Sequence, residues 1–154
     1  METQADRTSP GGPVLPEVLR FMQVLWRLVH GLEQSSKRMA TTLGITGPQR
    51  LVLRMVGLQP GISAGQLAAV LHVHPSTVTG VLRRLQTQGL LAREAHPEDR
   101  RRAVLRLTAR GRRINEVRRG TIEFEVREAL RRVSRRDQAC ARRALAIIAD
   151  RVAS

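Results

Sequence analysis

Apolar residues recur at helical spacing along almost the whole 154-residue chain, and this periodicity most constrains its fold. The first such stretch runs from about residue 15 to 42, with apolar side chains at Val18, Phe21, Met22, Leu25, Val29, Leu32 and Met39. A second helix follows directly, because Thr46 can cap it and Pro48 fits its first turn. The pattern predicts a mainly helical chain.

Two short helices in the middle of the chain are joined by a tight turn. The first begins with a capping box, in which Ser63 is followed three residues later by Gln66. A four-residue turn, 72–75, leads into the second helix, which runs to about Gln88 and ends at Gly89, where a left-handed residue is expected. This arrangement is typical of a helix-turn-helix.

The helical pattern is interrupted after the helix-turn-helix by two short extended runs. Residues 90–93 and 104–107 flank a polar stretch, which predicts a β-hairpin. The basic run Arg100, Arg101 and Arg102 would lie at its tip or on the returning strand.

Helical spacing returns in the last third of the chain. Thr108 caps a long fifth helix, whose apolar stripe includes Ile114, Val117, Thr121 and Phe124, with Val126, Leu130 and Val133 continuing around it. Ser134, followed by Asp137, begins a sixth helix. We therefore expect one long helix after the hairpin and one more at the end of the chain.

The order of these elements predicts a mainly α fold, a winged helix-turn-helix with a two-stranded β-wing between long N- and C-terminal helices. Residues 1–13 are predicted to be a disordered tail, and residues 14–154 a single domain. Within it, 46–108 form the DNA-binding winged helix-turn-helix, while 14–45 and 109–152 are dimerisation helices, because their apolar stripes favour a helical dimer interface. A larger monomeric bundle is the alternative.

The formal charge of +14 is concentrated just past the middle of the chain. Residues 61–82 carry no Asp, Glu, Lys or Arg, whereas residues 83–119 carry 12 basic and 4 acidic side chains. Such a cluster favours a polyanionic partner, with nucleic acid ahead of an anionic membrane surface.

Composition excludes several other classes. The single cysteine, Cys140, rules out an intramolecular disulfide framework and suits a reducing cytoplasm. No run approaches 18 consecutive apolar residues, so we expect no membrane span. Three aromatic residues are too few for folds that stack RNA bases on rings.

The fourth predicted helix has two chemically distinct faces. Val78, Val81, Leu82 and Leu85 share one face and must be core. The other face offers small hydroxyls and arginines, which hydrogen-bond base edges and phosphates. Its candidate DNA-binding residues are Ser76, Thr77, Thr79, Gly80, Arg83 and Arg84. An ordinary solvated face is the alternative, but the hairpin adds a second candidate group, Asp99, Arg100, Arg101 and Arg102, suited to an adjacent minor groove or backbone.

An ordered series of motifs resembles the MarR family. It includes Gly44-Ile-Thr-Gly-Pro-Gln-Arg-Leu-Val-Leu, Gln66-Leu-Ala-Ala-Val-Leu, Pro75-Ser-Thr-Val-Thr, Leu85-Gln-Thr-Gln-Gly-Leu-Leu-Ala-Arg and Pro97-Glu-Asp-Arg-Arg, followed by Val104-Leu-Arg-Leu-Thr-Ala-Arg-Gly. The resemblance covers roughly residues 18–150. One departure is His74, where a small N-cap residue is usual, and it leaves the capping role of His74 open.

The resemblance implies a bacterial, homodimeric transcription regulator that binds a palindromic operator on double-stranded DNA, and we expect a repressor. The recognition-helix role falls on residues 75–88 and the wing motif on Asp99 and Arg101. Many members release DNA on binding a small anionic aromatic effector, for which Trp26, His30 and Met55 are the candidate cleft in this chain.

Other readings predict different chemistry. A winged-helix module that binds an acidic protein without sequence-specific DNA binding is the main alternative. Gly61-Ile-Ser-Ala-Gly65 matches the nucleophile motif of α/β-hydrolases, but it lacks the buried strand that such a serine needs. His72 and His74 lack the spacing of a helical metal pair, and Cys140 is either a packed or incidental thiol or a peroxide sensor. We therefore expect no enzymatic activity, metal or cofactor.

Overall fold

Seven helices and one two-stranded antiparallel sheet make up residues 15–99 and 102–153, which the computed structural model describes. In chain order they are α1 (Glu17–Leu43), α2 (Gly47–Leu58), α3 (Ala64–Leu71), α4 (Pro75–Thr87), β1 (Leu91–Ala95), β2 (Ala103–Leu107), α5 (Ala109–Glu116), α6 (Ile122–Leu130) and α7 (Arg135–Val152). None of these helices has the length and apolar character needed to cross a membrane. The predicted tail, 1–13, lies outside the described residues.

Local capping signals fix most of the helix ends. Thr46 and Ser63 each form a complete capping box with the glutamine three residues later, at the starts of α2 and α3. Gly44 and Gly89 adopt left-handed backbone conformations, with φ of 73° and 66°. The predicted boundaries are therefore confirmed at these positions. The predicted turn is one residue too long, because α4 already begins at Pro75.

The core lies between α2, α3, α4 and the hairpin. Its buried apolar residues are Met39, Ile45, Val52, Leu53, Val56, Ile62, Leu67, Ala68, Val78, Leu82, Leu85, Leu90, Leu91 and Leu105. The two strands pair from Leu91 with Leu107 to Ala95 with Ala103, and their buried residues are Leu91 on β1 and Val104 and Leu105 on β2. The base of the wing is therefore part of the core, and its tip extends away from the core.

The prediction of one long fifth helix is wrong. Helix α5 ends at Glu116, Val117 has an extended ψ of 131°, and Gly120 has a φ of 76° before α6 begins at Ile122. Thr121, predicted to lie on the apolar stripe of that helix, is fully buried in the break, where its hydroxyl donates to the Arg118 carbonyl at 2.6 Å.

Arg50 accounts for the break between α5 and α6. Its side chain is 1% exposed, and its guanidinium donates to the carbonyls of Ile114 and Val117, both at 2.6 Å. Its Nε donates to Glu123 Oε1 on α6, also at 2.6 Å. In a continuous helix, backbone N–H groups of the next turn would donate to these carbonyl groups. Here the Arg50 guanidinium donates to them instead. We call these four residues the Arg50 cluster.

The Arg50 cluster also sets the ionisation of Glu123. Partial burial alone would raise the pKa of Glu123, but the hydrogen bond and positive charge of Arg50 outweigh burial and hold that pKa below its ordinary value. Arg54 approaches the same carboxylate at 3.8 Å. Burial, followed by the charges of Arg118 and Arg50, lowers the pKa of Arg54. Glu123 thus neutralises part of the positive charge of Arg50 and Arg54 at the junction between α5 and α6.

The outer helices present exposed apolar side chains. On α1 these include Val18, Phe21, Met22, Val29 and Leu32, and on α6 and α7 they include Val126, Leu130, Leu145, Ile147 and Val152. Apolar area of this extent on a small chain is characteristic of an association surface. The dimerisation role of these helices stays a prediction.

Candidate nucleic-acid interface

Helix α4 carries its apolar face inward and its polar face outward. Val78, Leu82 and Leu85 are buried, and Val81 is half-buried against the core. All six side-chain positions of the candidate recognition surface are exposed: Ser76, Thr77, Thr79, Gly80, Arg83 and Arg84. The two faces therefore lie as the periodicity predicts. We call these six residues the α4 surface.

His74 is the N-cap of α4, which settles the role that the sequence left open. Its backbone is extended, with φ −62° and ψ 139°, and its Nδ1 accepts from the Ser76 backbone N–H at 3.3 Å. The same nitrogen lies 2.7 Å from Ser76 Oγ. A ring nitrogen therefore takes the place of the usual hydroxyl oxygen as the acceptor at this helix end.

The hydroxyls of two α4 threonines are bonded within the helix. Thr79 Oγ1 donates to the Pro75 carbonyl at 2.9 Å, and Thr87 Oγ1 donates to the Arg83 carbonyl at 3.0 Å. Their protons are therefore used internally, and their oxygens keep lone pairs for outside donors.

The carboxyl end of α4 is tied to two other elements through Gln88. Its side-chain Nε2 donates to the Gly44 carbonyl at the end of α1 at 3.0 Å. Its own carbonyl accepts from Arg110 of α5 at 2.9 Å. Sequence reasoning placed Gln88 only as the helix end and missed this link, since no local pattern signals a contact 44 residues away.

A shallow groove of 510 Å³ runs between α2 and the α4 surface. It is lined by Gln49, Gly80, Arg83, Arg84, Thr87 and Gln88. A Cβ at Gly80 would meet no atom within 4 Å, so the backbone of α4 is uncovered there. Two arginines beside bare backbone suit the close approach of an anionic surface.

The wing places further polar groups beyond the core. Asp99 and Arg102 are exposed near its tip, where the Arg102 N–H donates to the Asp99 carbonyl at 2.9 Å and the His96 N–H to the Arg102 carbonyl at 2.8 Å. Arg100 and Arg101, which the sequence also assigns to the interface, lie outside the described residues.

Two of the three residues of the predicted effector cleft lie on α1 and the third lies on α2. Trp26 is 78% exposed on α1, and His30, one turn later, shares a 2.8 Å hydrogen bond with Gln34. Met55 is half-buried on α2, packed against the core. The cleft stays a prediction.

Two residues with potential reactivity, Ser63 and Cys140, have ordinary surroundings. Ser63 Oγ accepts from the Gln66 N–H at 3.2 Å, so it acts as a helix cap. Cys140 is exposed on α7 rather than packed. Within residues 15–99 and 102–153, no group of three or more His, Cys, Asp or Glu side chains could hold a metal ion.

Comparisons with known proteins show similarity to one family. Residues 43–102 match the model of the MarR family. The HTH-type transcriptional repressor Mb2911 of Mycobacterium bovis is 36% identical over 89 residues, which cover 58% of this chain and 64% of that protein. The chain thus matches slightly less than two thirds of this relative's length.

Solved structures share the fold over most of the chain. The S. aureus MepR–DNA complex superposes with a TM-score of 0.70 at 19% identity and covers 86% of this chain and 97% of its own. The PcaV regulator of Streptomyces coelicolor, solved with its natural ligand, gives a TM-score of 0.70 at 24% identity, covering 90% and 98%. With the helix-turn-helix, the wing and the outer helices all in place, the chain has the winged-helix fold of these structures, and its residues 43–102 are similar to the MarR family.

Proposed function

We propose that the protein is a DNA-binding transcriptional regulator that acts in the cytoplasm as a homodimer on a palindromic operator, with repression as its mode. The observation that carries this proposal is the α4 surface, a polar, arginine-bearing helix face held outward by a buried apolar one. The repressor named among its relatives supports the same function.

The chemistry of the α4 surface suits the major groove. Arg83 can donate in a bidentate manner to guanine O6 and N7, the commonest specific contact to a base. Serine and threonine oxygens can contact base edges or phosphates. Arg84, which lines the groove toward α2 together with Arg83, can donate to the phosphate backbone. The protein thereby needs no bond-making chemistry to act.

The exposed apolar faces of α1, α6 and α7 support the dimer. Two copies joined there would present two α4 helices to successive major grooves, about 34 Å apart. A small anionic aromatic effector bound near Trp26, His30 and Met55 would act by changing the spacing of these helices. No catalytic step, metal or cofactor enters this proposal.

Selection of bound fragments from sheared genomic DNA tests the function directly. The full chain is incubated with fragments at physiological salt in the presence of competitor DNA, and the bound fragments are sequenced. We expect enrichment of an inverted repeat with half-sites about 10 base pairs apart. Failure to enrich any sequence, together with binding to acidic proteins, would favour the protein-interaction alternative.

Arg83→Ala should relax sequence preference at one position of each half-site. Losing a base contact costs about 1–3 kcal/mol at that position and little elsewhere. The measurement is fluorescence anisotropy on the selected duplex and on single-base variants. Arg136→Ala, which removes the same charge from the exposed start of α7, is the matched control. An equal loss of affinity on every duplex would contradict base reading by Arg83.

Gly80→Ala should raise stability while weakening DNA binding. Alanine is about 1 kcal/mol more favourable than glycine inside a helix, and the added Cβ meets nothing within 4 Å in the free protein. On DNA, the same methyl group would separate α4 from the bases. Gly31→Ala, on α1 and equally unobstructed, should stabilise without altering affinity. Thermal unfolding and anisotropy measure the two effects; unchanged affinity of Gly80→Ala would argue against close approach at this residue.

A further inference from the structure

The turn before α4 fixes the hydrogen-bonding role of Ser76. Nδ1 of His74 accepts from the Ser76 backbone N–H at 3.3 Å, and a backbone N–H can only donate. Nδ1 must therefore present its lone pair, and the neutral ring carries its proton on Nε2. Ser76 Oγ lies 2.7 Å from the same nitrogen, which has no proton to give. The Ser76 hydroxyl therefore donates its own proton to Nδ1.

This bond leaves the outward side of Ser76 Oγ with lone pairs only. Ser76 is exposed at the second position of α4, and the N-terminal residues of recognition helices contact base edges. In the major groove, adenine N6 and cytosine N4 carry hydrogen-bond donors, whereas guanine O6 and thymine O4 accept. Phosphate oxygens also only accept, so the bonded hydroxyl suits an amino group better than the DNA backbone.

We propose that His74 is a positioning residue that makes Ser76 an acceptor and thereby selects adenine or cytosine at one position of each half-site. The inference rests on the proposed DNA-binding function and adds a specificity rule to it.

Protonation of the His74 ring reverses the bond. An imidazolium Nδ1–H donates to Ser76 Oγ and releases the hydroxyl proton toward guanine O6, thymine O4 or a phosphate.

Few charged groups surround this cap. The turn and α3 offer only His72 as a further titratable side chain, and the first charge on α4 is Arg83. On α2, which also packs against α4, Arg50 and Arg54 are bonded to carbonyl groups of α5 and its carboxyl-terminal end. His74 is therefore the titratable group in direct contact with Ser76.

Selection from random-sequence duplexes at about pH 8 and about pH 5.5 tests the proposal with the full chain. Three proteins are compared: wild type, Ser76→Ala and His74→Asn. Asparagine carries its Oδ1 on Cγ, as histidine carries Nδ1, so it keeps the cap acceptor without titrating. The readout is the ratio of amino-bearing to acceptor-bearing bases at each position. Protonation of other histidines can change the overall affinity, but this affects both kinds of base alike and leaves the ratio unchanged.

At about pH 8, wild type should prefer adenine or cytosine about threefold to tenfold at one position, and Ser76→Ala should lose that preference. At about pH 5.5, wild type should lose it too, while His74→Asn should keep it at both pH values. Enrichment of guanine or thymine there, an equal loss on all duplexes in Ser76→Ala, or the same pH response in His74→Asn would overturn the inference. If no variant enriches any sequence, the proposed function itself fails.

Discussion

Replacing Arg50 with methionine should lower the free energy of unfolding by about 3 kcal/mol, the low end of the cost of breaking a buried ion pair. Methionine fills similar volume but removes the Arg50 donor to the Val117 carbonyl and one of the two donors to the Ile114 carbonyl, which also accepts from the Val117 N–H. The low end applies because the Glu123 side chain is 30% exposed and can recover water. Urea unfolding followed by circular dichroism measures the loss.

Arg54→Met is the matched control for this substitution. Arg54 lies one turn further along α2, is 22% exposed and contacts Asn115 Oδ1 at 3.0 Å. Its loss should cost no more than about 1 kcal/mol, as expected for a partly exposed polar contact. Equal effects of the two substitutions would mean that the Arg50 cluster does not hold the α5–α6 junction.

Glu123 gives the same cluster a pH dependence. Because its pKa is lower in the folded chain than in the unfolded one, its contribution is present above the unfolded pKa and is lost as pH falls through the folded pKa. Wild type should therefore lose stability in acid more steeply than Glu123→Gln, whose amide does not titrate. Parallel acid-unfolding curves of the two proteins would contradict this assignment.

Binding to the selected operator should fall steeply with salt. A dimer that neutralises about 6–10 phosphates loses about 10³–10⁵ in affinity between 50 and 200 mM salt, because bound counterions are released from the DNA. The exposed arginines of the α4 surface and wing provide the positive charge. Anisotropy titrations across this range give the slope of log affinity against log salt.

Arg84→Ala should flatten that slope by about 1 for each phosphate contact removed, without changing base preference. Arg136→Ala should leave the slope unchanged, because that side chain lies on α7. A flat salt dependence of the wild-type protein would show that phosphates are not its partner and would contradict the proposed function.

Local signals account for the parts of the fold that the sequence predicts. Capping boxes at Thr46 and Ser63 and left-handed glycines at positions 44 and 89 act within a few residues, so their effect can be read from the chain alone. The division of α4 into two faces follows in the same way from its periodicity. These features are enough to place the candidate recognition residues on an exposed helix.

Long-range contacts account for what was missed. The break after α5 depends on Arg50, which lies 64 residues before the Ile114 carbonyl that it contacts. The sequence signal for this contact was the position of Arg50, three residues before Leu53, which puts it on the core-facing side of α2. Likewise, the role of His74 depended on ring geometry rather than residue type. Periodicity measures where apolar groups recur and contains no information on such pairings.

The hydrogen bond between Gln88 and the Gly44 carbonyl couples the orientation of α1 to the position of the α4 surface. With 27 residues, α1 is about 40 Å long. If α1 rotates by about 5° about the end remote from Gly44, its Gly44 end moves by about 3.5 Å. This displacement is close to the 3.4 Å spacing of successive nucleotides along one DNA strand. Because Met39 on α1 belongs to the same core as the buried face of α4, such a rotation would carry α4 with it and move the proposed recognition helix out of register with the bases.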